Sequence, residues 1–470
     1  MGKKGLNVSM YPAKGNKEIF DEIEDEFFKN RRSVHHVRHI YEKFCEDLEK
    51  QLEQFDYISH ALVIENCQTC FHLVQKGTRF GIFGGYRSYI VLPIKYLHII
   101  PIHRKNKGIL FMAMDENFKW GILETLPFDF DEINLPTEDF YPVKFQGKWG
   151  LYYSSQYFKK QEMVIKPQYE DALRLSEGLW GVKKDGKWGF VDIFNNVAIP
   201  FEYTEVSDFS FGYAKVTKSS CVEYKDFVLL NHNGKEVIFK NKQLIDNDYR
   251  SKIRIKKCHE NHIRYYYAIG PDDSILTPQN KYRYLGRYSE GLFAASLNGE
   301  TYGYIDINED IIIPFQYQLE VYPNSGILDN TAYRWGCACV RLNNEKYSNE
   351  YILINYDNEQ VFPYILQCHD RLEFENGQFL KHGWSTIGDR FKRNSISLYD
   401  LIICKQGKDM SHLIRTDAEV EAEKMQRKRQ RQRELEEHYD WTEEDTWDAM
   451  TDGMYGDYPG GDVDYDAFGF

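Results

Sequence analysis

The sequence predicts an all-β repeat array, and three observations predict it. An aromatic residue followed by glycine recurs between residues 70 and 365, in Trp120-Gly121, Trp149-Gly150 and Trp188-Gly189, with softer copies at Phe80-Gly81 and Tyr302-Gly303. The clean copies Trp149 and Trp188 lie one period apart, roughly 40 residues, and a period of that size dictates architecture. Aromatics make up 16% of the 470 residues, which favours the pleated, half-buried surface of a strand. The predicted fold is therefore a tandem array of about eight three-stranded β-hairpin units. It is expected to be solenoid-like and open, with an N-terminal helical cap and a C-terminal helix plus acidic tail. A closed ring is the rival; blades of that kind carry four strands.

Residues 1–60 form the predicted helical segment. Ile19, Phe20, Ile23 and Phe27 share one face at helical spacing, and Val34, Val37, Ile40, Tyr41, Phe44, Leu48, Leu52 and Phe55 continue it. Residues 61–365 are the array. Its clearest unit opens on Ser176-Glu-Gly-Leu-Trp-Gly-Val-Lys-Lys, read as one strand. It turns at Asp185-Gly186, returns as Lys187-Trp-Gly-Phe-Val-Asp192, and closes on Val197-Ala-Ile-Pro200 with Tyr203. Asp-Gly between alternating residues is a strong type I′ hairpin signal, because both central residues need positive φ. That turn pairs Lys184 with Lys187, Lys183 with Trp188 and Val182 with Gly189. The ring of each pair is assigned to the core. Each glycine is expected to lie beneath a neighbouring unit, since glycine inside a strand marks close approach. Openings of the same kind stand at Ser210 and Ser289; a decayed copy spans 226–239, and insertions sit near 241–264 and 343–350.

The copies Gly147-Lys-Trp-Gly-Leu151 and Gly186-Lys-Trp-Gly-Phe190, the Ser-x-Gly openings and the ending Ile199-Pro-x-x-Tyr203 resemble the WG-repeat family of bacterial proteins. The resemblance implies an all-β repeat fold and a binding role. It carries no catalytic residues to transfer.

Residues 366–412 are a mixed closing segment and 413–440 a charged helix, acidic, then basic from Lys424 to Arg433, then acidic again. A helix polar all round projects into solvent or bridges to something. In the tail, 441–470, nine Asp or Glu stand with no Lys or Arg. Acidic termini that carry aromatics serve as ligands that order on binding. Trp441, Trp447, Tyr455, Tyr458, Asp462, Asp464, Asp466, Phe468 and Phe470 are the candidate partner-binding residues.

A net charge of −13 argues against a general nucleic-acid binder. No run of residues is apolar enough to cross a bilayer, and the N-terminus lacks the apolar stretch of a signal peptide. Nine scattered cysteines do not make a disulfide framework, so a reducing, cytoplasmic location is expected. No P-loop, dinucleotide fingerprint or nucleophile elbow is present. Cys67-Gln-Thr-Cys70, with Cys258-His259 or Cys368-His369, is the strongest metal pattern, but no second CxxC completes it. The expectation is a non-enzymatic scaffold for protein or peptide partners, without cofactor or metal. A glycan-binding β module and a zinc enzyme built on Cys67 and Cys70 are the alternatives.

Overall fold

The structure is a computed structural model. It describes residues 52–439 apart from 60–61, 64–69, 85–88, 105–107, 156–158, 219–226, 320–330, 344–349, 368–370, 376–377, 383–394, 409 and 411–412. The chain divides into two compact units, residues 1–343 with 353–361, and residues 344–352 with 362–470. The expected N-terminal helix up to residue 51 and the acidic tail lie outside the described residues.

The first unit is a succession of small antiparallel sheets, and in all but the first, where Tyr57–Ile58 and Leu62–Val63 both pair with Cys70–Lys76, neighbours in space are neighbours in sequence. One sheet runs Asp171–Ser176, Leu179–Lys184, Lys187–Asp192 and Val197–Tyr203. Others repeat it: His98–Arg104 to Leu126–Phe130, Glu132–Ile133 to Lys160–Tyr169, and Tyr284–Leu285 to Ile311–Gln318. These sheets have four strands, not three. The segment read as one strand from Ser176 contains a turn, because Glu177 and Gly178 both take positive φ and Ser176 pairs with Leu179. The same turn recurs at Phe211-Gly212, Glu290-Gly291 and Trp335-Gly336. The extra strand precedes the Ser-x-Gly opening.

The central hairpin has the register that a two-residue Asp-Gly turn dictates, with Lys184 opposite Lys187, Lys183 opposite Trp188 and Val182 opposite Gly189. Asp185 and Gly186 have φ of +50° and +74°. The next turn is held by an Asx residue: the Asp192 carboxylate accepts the N–H groups of Phe194 and Asn196 at 2.9 and 2.8 Å. Asp115, Asn231, Asp306 and Asn355 repeat that device.

The aromatic-glycine pair has a different task from the one expected. Trp188 sits opposite Tyr203 and Phe190 opposite Ile199, so Pro200, Phe201 and Glu202 bulge over the single residue Gly189. A Cβ on Gly189 would stand 2.8 Å from the Ile199 carbonyl oxygen. Gly81, Gly121, Gly150 and Gly303 meet the fourth strand of their own sheets in the same way. What overlies the glycine is therefore its own bulged strand, not a neighbouring unit. Among the rings, Trp149 and Tyr302 are buried while Phe80, Trp120 and Trp188 are half-buried. Trp180 is fully buried, with its indole N–H donating to the Leu173 carbonyl at 3.0 Å.

The core lies between consecutive sheets. Leu179, Phe190, Ile199 and Tyr203 of one sheet pack with Phe209, Ala214, Val216 and Leu230 of the next. The same holds where Ile102, Met112 and Phe130 meet Tyr141 and Val143. Small repeats gain their stability by this stacking. Inter-unit hydrogen bonds repeat as well: the hydroxyls of Tyr169 and Tyr317 donate to Asn195 and Asn358, in the turns of the units that follow, at 2.7 and 2.6 Å.

Within this unit the array is not an open stack. A stack of repeats makes contacts only between sequence neighbours. Here the turn at Gly178 meets the turn at Trp335, and the turn at Gly212 meets Gly291. Glycine at these turns leaves room for backbone to touch backbone.

One unit is built differently. After Ile238 the chain forms a 3-10 turn, Lys242–Ile245, and a helix, Asn247–Ser251, where other units have their first strand and opening turn. Asn241 and Asp246 cap these two elements, each accepting a backbone N–H two residues on.

The second unit contains the sheet Arg371–Glu375, Gln378–His382 and Ser395–Ser397. Its helix Leu398–Lys405 is started by a capping box between Ser397 and Asp400. The helix Asp417–Tyr439 carries Lys424–Glu421 and Arg427–Glu423 pairs on its surface. No helix of the described residues is long and apolar enough to cross a membrane.

Candidate functional site

Two repeat positions build the candidate site. The first is the leading residue of the opening turn: Glu177, Phe211, Glu290 and Trp335. The second is the residue after the Asx cap. It is a buried aliphatic at Ile193 and Ile307, but His232 and Tyr356 in two other units. The converging turns bring Glu177, Glu290, His232 and Tyr356 together.

The carboxylates link one unit to the next. Glu177 Oε2 accepts the Gly212 N–H at 2.9 Å. Glu290 Oε1 accepts the Trp335 N–H at 2.7 Å, and its Oε2 accepts the Gly336 N–H at 3.0 Å. The opening hydroxyls do the same work: Ser176 and Ser289 donate to the Phe209 and Tyr333 carbonyls, each at 2.8 Å. Between the two glutamates, Tyr356 donates its hydroxyl to Glu290 Oε2 at 2.7 Å. With a proton on Nε2, His232 donates to Glu177 Oε2 at 3.2 Å; the same nitrogen lies 3.2 Å from the Tyr356 oxygen. The rings of Phe209, His232, Tyr356 and Tyr333 stack in that order, with centroids 4.6, 4.0 and 4.6 Å apart.

Burial pushes the Glu290 carboxyl above the usual range, and the Glu177 charge adds to it. His232, Tyr356 and the Gly336 N–H pull the other way. The neighbouring Cys337 thiol is pushed up to about 12 by burial, then by Glu290. Burial of a carboxyl favours its neutral form. Both Glu290 oxygens are nevertheless occupied by protein donors, so the geometry is that of a latch between turns. A shallow cleft opens beside it, lined among others by Tyr213, Asn231, Asn233 and Asp306.

At the Phe211 turn, which lacks the glutamate, an arginine stands in. Phe211 has no carboxylate, and the unit after it has no opening turn. The buried Arg250 of the helical insert fills that place, donating to the Ser210 carbonyl at 3.0 Å and to Leu244 and Asn247. Its guanidinium lies 5.2 Å from the Tyr213 ring centroid and 5.6 Å from that of Phe239.

The sequence-predicted residues fall elsewhere. Phe80, Trp120, Trp149, Trp188 and Tyr302 stand in separate sheets, each opposite the closing aromatic of its own fourth strand. Trp441 through Phe470 lie outside the described residues, as do Cys67 and Cys368. The Cys258 thiol donates to the Gln279 carbonyl at 2.9 Å. Glu177, Glu290, His232 and Tyr356 were not singled out by sequence. The signal for the glutamates was the repeated Ser-Glu-Gly-Leu at 176–179 and 289–292. For His232 and Tyr356 it was a polar ring in a slot that holds isoleucine at Ile193 and Ile307.

Small antiparallel meanders, type I′ opening turns and bulged Pro strands define a β-repeat protein. The chain carries the WG containing repeat, matched at residues 124–149, 159–188, 188–220 and 302–325. Among solved structures, KlHsv2 with loop 6CD replaced by a Gly-Ser linker is similar at 11% identity, over 61% of this chain and 86% of that one, with a TM-score of 0.19. Hsv2 from Kluyveromyces lactis with complete loop 6CD gives 11% over 61% and 87%, with a TM-score of 0.15. A crystal structure of the eukaryotic initiation factor gives 10% identity over 66% and 87%, with a TM-score of 0.28. Likeness this remote carries no argument about the chain. Comparison with curated proteins returns no match.

Proposed function

We propose that this protein is a non-enzymatic repeat scaffold that binds protein or peptide partners along a surface its repeats extend unit by unit. The observation that carries this reading is an exposed aliphatic encoded in the repeat. Ile90, Val197 and Ile311 each stand three residues before the fourth-strand proline and Ile275 three before Pro278, and they are 40, 58, 59 and 57% exposed. Single exposed apolar residues need no explanation. The same one recurring in four units is a property of the repeat, and apolar anchors within polar surroundings are what protein contacts use. The glutamate pair supports the non-enzymatic reading, since both Glu290 oxygens and Glu177 Oε2 are spent on the neighbouring turns. The acidic tail, 441–470, is proposed as a second partner-binding element. A reducing, cytoplasmic setting suits the free thiols of Cys258, Cys337 and Cys404.

Affinity capture tests this. The full chain should retain a partner that is lost when Val197, Ile275 and Ile311 are all changed to serine, with an unchanged melting temperature. Deleting 441–470 should remove a partner and leave the melting of the array nearly as it was. Identical captures from all three proteins would sink the reading.

A further inference from the structure

The unit that begins with the helical insert has a sheet of two strands where the complete sheets have four: the chain after Ile269 only bridges to it at Ile275 and Tyr282, and no first strand precedes it. In the complete sheets the second strand has a first strand along its outer side, and it is correspondingly buried. Phe140–Phe145, Leu179–Lys184 and Leu292–Ser296 are of this kind. The equivalent strand here, Arg254–Glu260, belongs to a two-stranded sheet and pairs with Ile263–Ile269 alone. The chain before it is helical, and Arg254, Lys256, Lys257, His259 and Glu260 are exposed.

Its outer edge is the longest free edge without proline among the described residues. The other outer strands of seven or more residues contain Pro93, Pro101, Pro167, Pro200 or Pro314, except Ile263–Ile269, whose outer side is bridged by Tyr282 and Ile275. Proline withholds an N–H from any added strand and so protects an edge. Arg254–Glu260 has no such protection. It has cations instead: Arg254, Lys256 and Lys257 along the edge strand, with Arg264 in the strand beside it. Asp273 answers Arg254 and Lys256 at 3.1 and 3.4 Å; Lys257 alternates to the opposite face. Lysines on an edge repel a second copy of the same strand, which excludes self-pairing as the occupant. They favour a strand of opposite charge, because directly opposed unlike charges stabilise a sheet.

We propose that an extended acidic segment of a partner protein adds to the outer edge of Arg254–Glu260 and completes the sheet as its missing first strand. Main-chain hydrogen bonds supply the affinity in this mode, and alternate side chains supply the selection. The proposal rests on the scaffold reading and names the partner's chemistry.

The probe is a fluorescein-labelled heptapeptide of alternating Glu and Val, titrated with the full-length protein and read by anisotropy. Saturable binding is expected, with protection of the 254–260 amides from hydrogen exchange. It should weaken about tenfold in the Lys256→Glu/Lys257→Glu double variant, and it should fall away at high salt. The same peptide with proline at its centre should not bind. No binding, equal binding by an alternating Lys and Val peptide, equal binding by the proline peptide, or an unaffected double variant would each overturn the proposal. Those failures leave the scaffold reading standing, because its own test uses residues outside this strand and partners captured from lysate.

Discussion

Asp208 shows how much one residue of an opening can matter. It precedes the turn at Ser210, its Oδ1 is buried without a hydrogen-bond partner among the described residues, and burial raises its pKa to about 6 despite Arg174. A carboxyl raised on folding contributes stability that is complete below its unfolded pKa, about 4. That contribution is lost as the pH rises through the folded value of about 6. Asp208→Asn should therefore raise the melting temperature at pH 7 and change it little at pH 4. The gain is at most about 3 kcal/mol before solvent screening. Thermal melts of both proteins across that range check the sign; an Asn variant less stable at pH 7 would show that the charge is wanted where it stands.

The element to probe is the opening turn. A Cβ on Gly212 would lie 2.1 Å from the Gly291 Cα, and its φ is +90°. The hairpin glycine Gly186 has a similar φ, +74°, but nothing within 4 Å. Gly186→Ala should cost only the left-handed strain, about 1–2 kcal/mol. Gly212→Ala should cost clearly more, because backbone must move as well. Urea unfolding of the two variants separates strain from contact, and equal losses would mean that the turns do not need to touch. The same comparison shows what the sequence disclosed. Asp185-Gly186 was legible, register included, because Asp-Gly has a local conformational preference. Glu177-Gly178 was not, because glutamate has none for the first turn position; its φ is fixed by the turns packed against it. The bulge over Gly189 was half legible: the glycine announced a close approach, but only the pairing of Trp188 with Tyr203 shows which strand makes it. Arg250 sits in a segment that reads as an insertion, and nothing local marks it as a substitute for a missing turn.

For the molecule as a whole, the four residues of the latch come from units far apart in sequence, and a pattern repeated every unit cannot reveal which copies meet. Their coupling is measurable. Glu290→Ala would leave the buried Trp335 N–H without its acceptor, at about 1–3 kcal/mol, and the half-buried Gly336 N–H at less. Glu177→Ala should cost less, and the double variant should fall short of or exceed the sum by about 0.5–3 kcal/mol, the range for residues that share one network. Strict additivity, measured by denaturant unfolding of the array, would show two independent caps in place of a latch.

The meeting of Gly178 with Trp335 also sets a timetable for synthesis. Chains fold domain by domain as they leave the ribosome, N-terminal parts first. The sheets up to Val206 can stack as they emerge, since each needs only the one before it. The Glu177 carboxylate and the His232 ring, however, must wait for Glu290, Trp335 and Tyr356, which are translated later. Until then the nascent array holds a buried-site glutamate and histidine open to water, and its final closure is a late, long-range event of the slow kind. A ribosome stalled before residue 335 would therefore carry a stacked but unlatched protein.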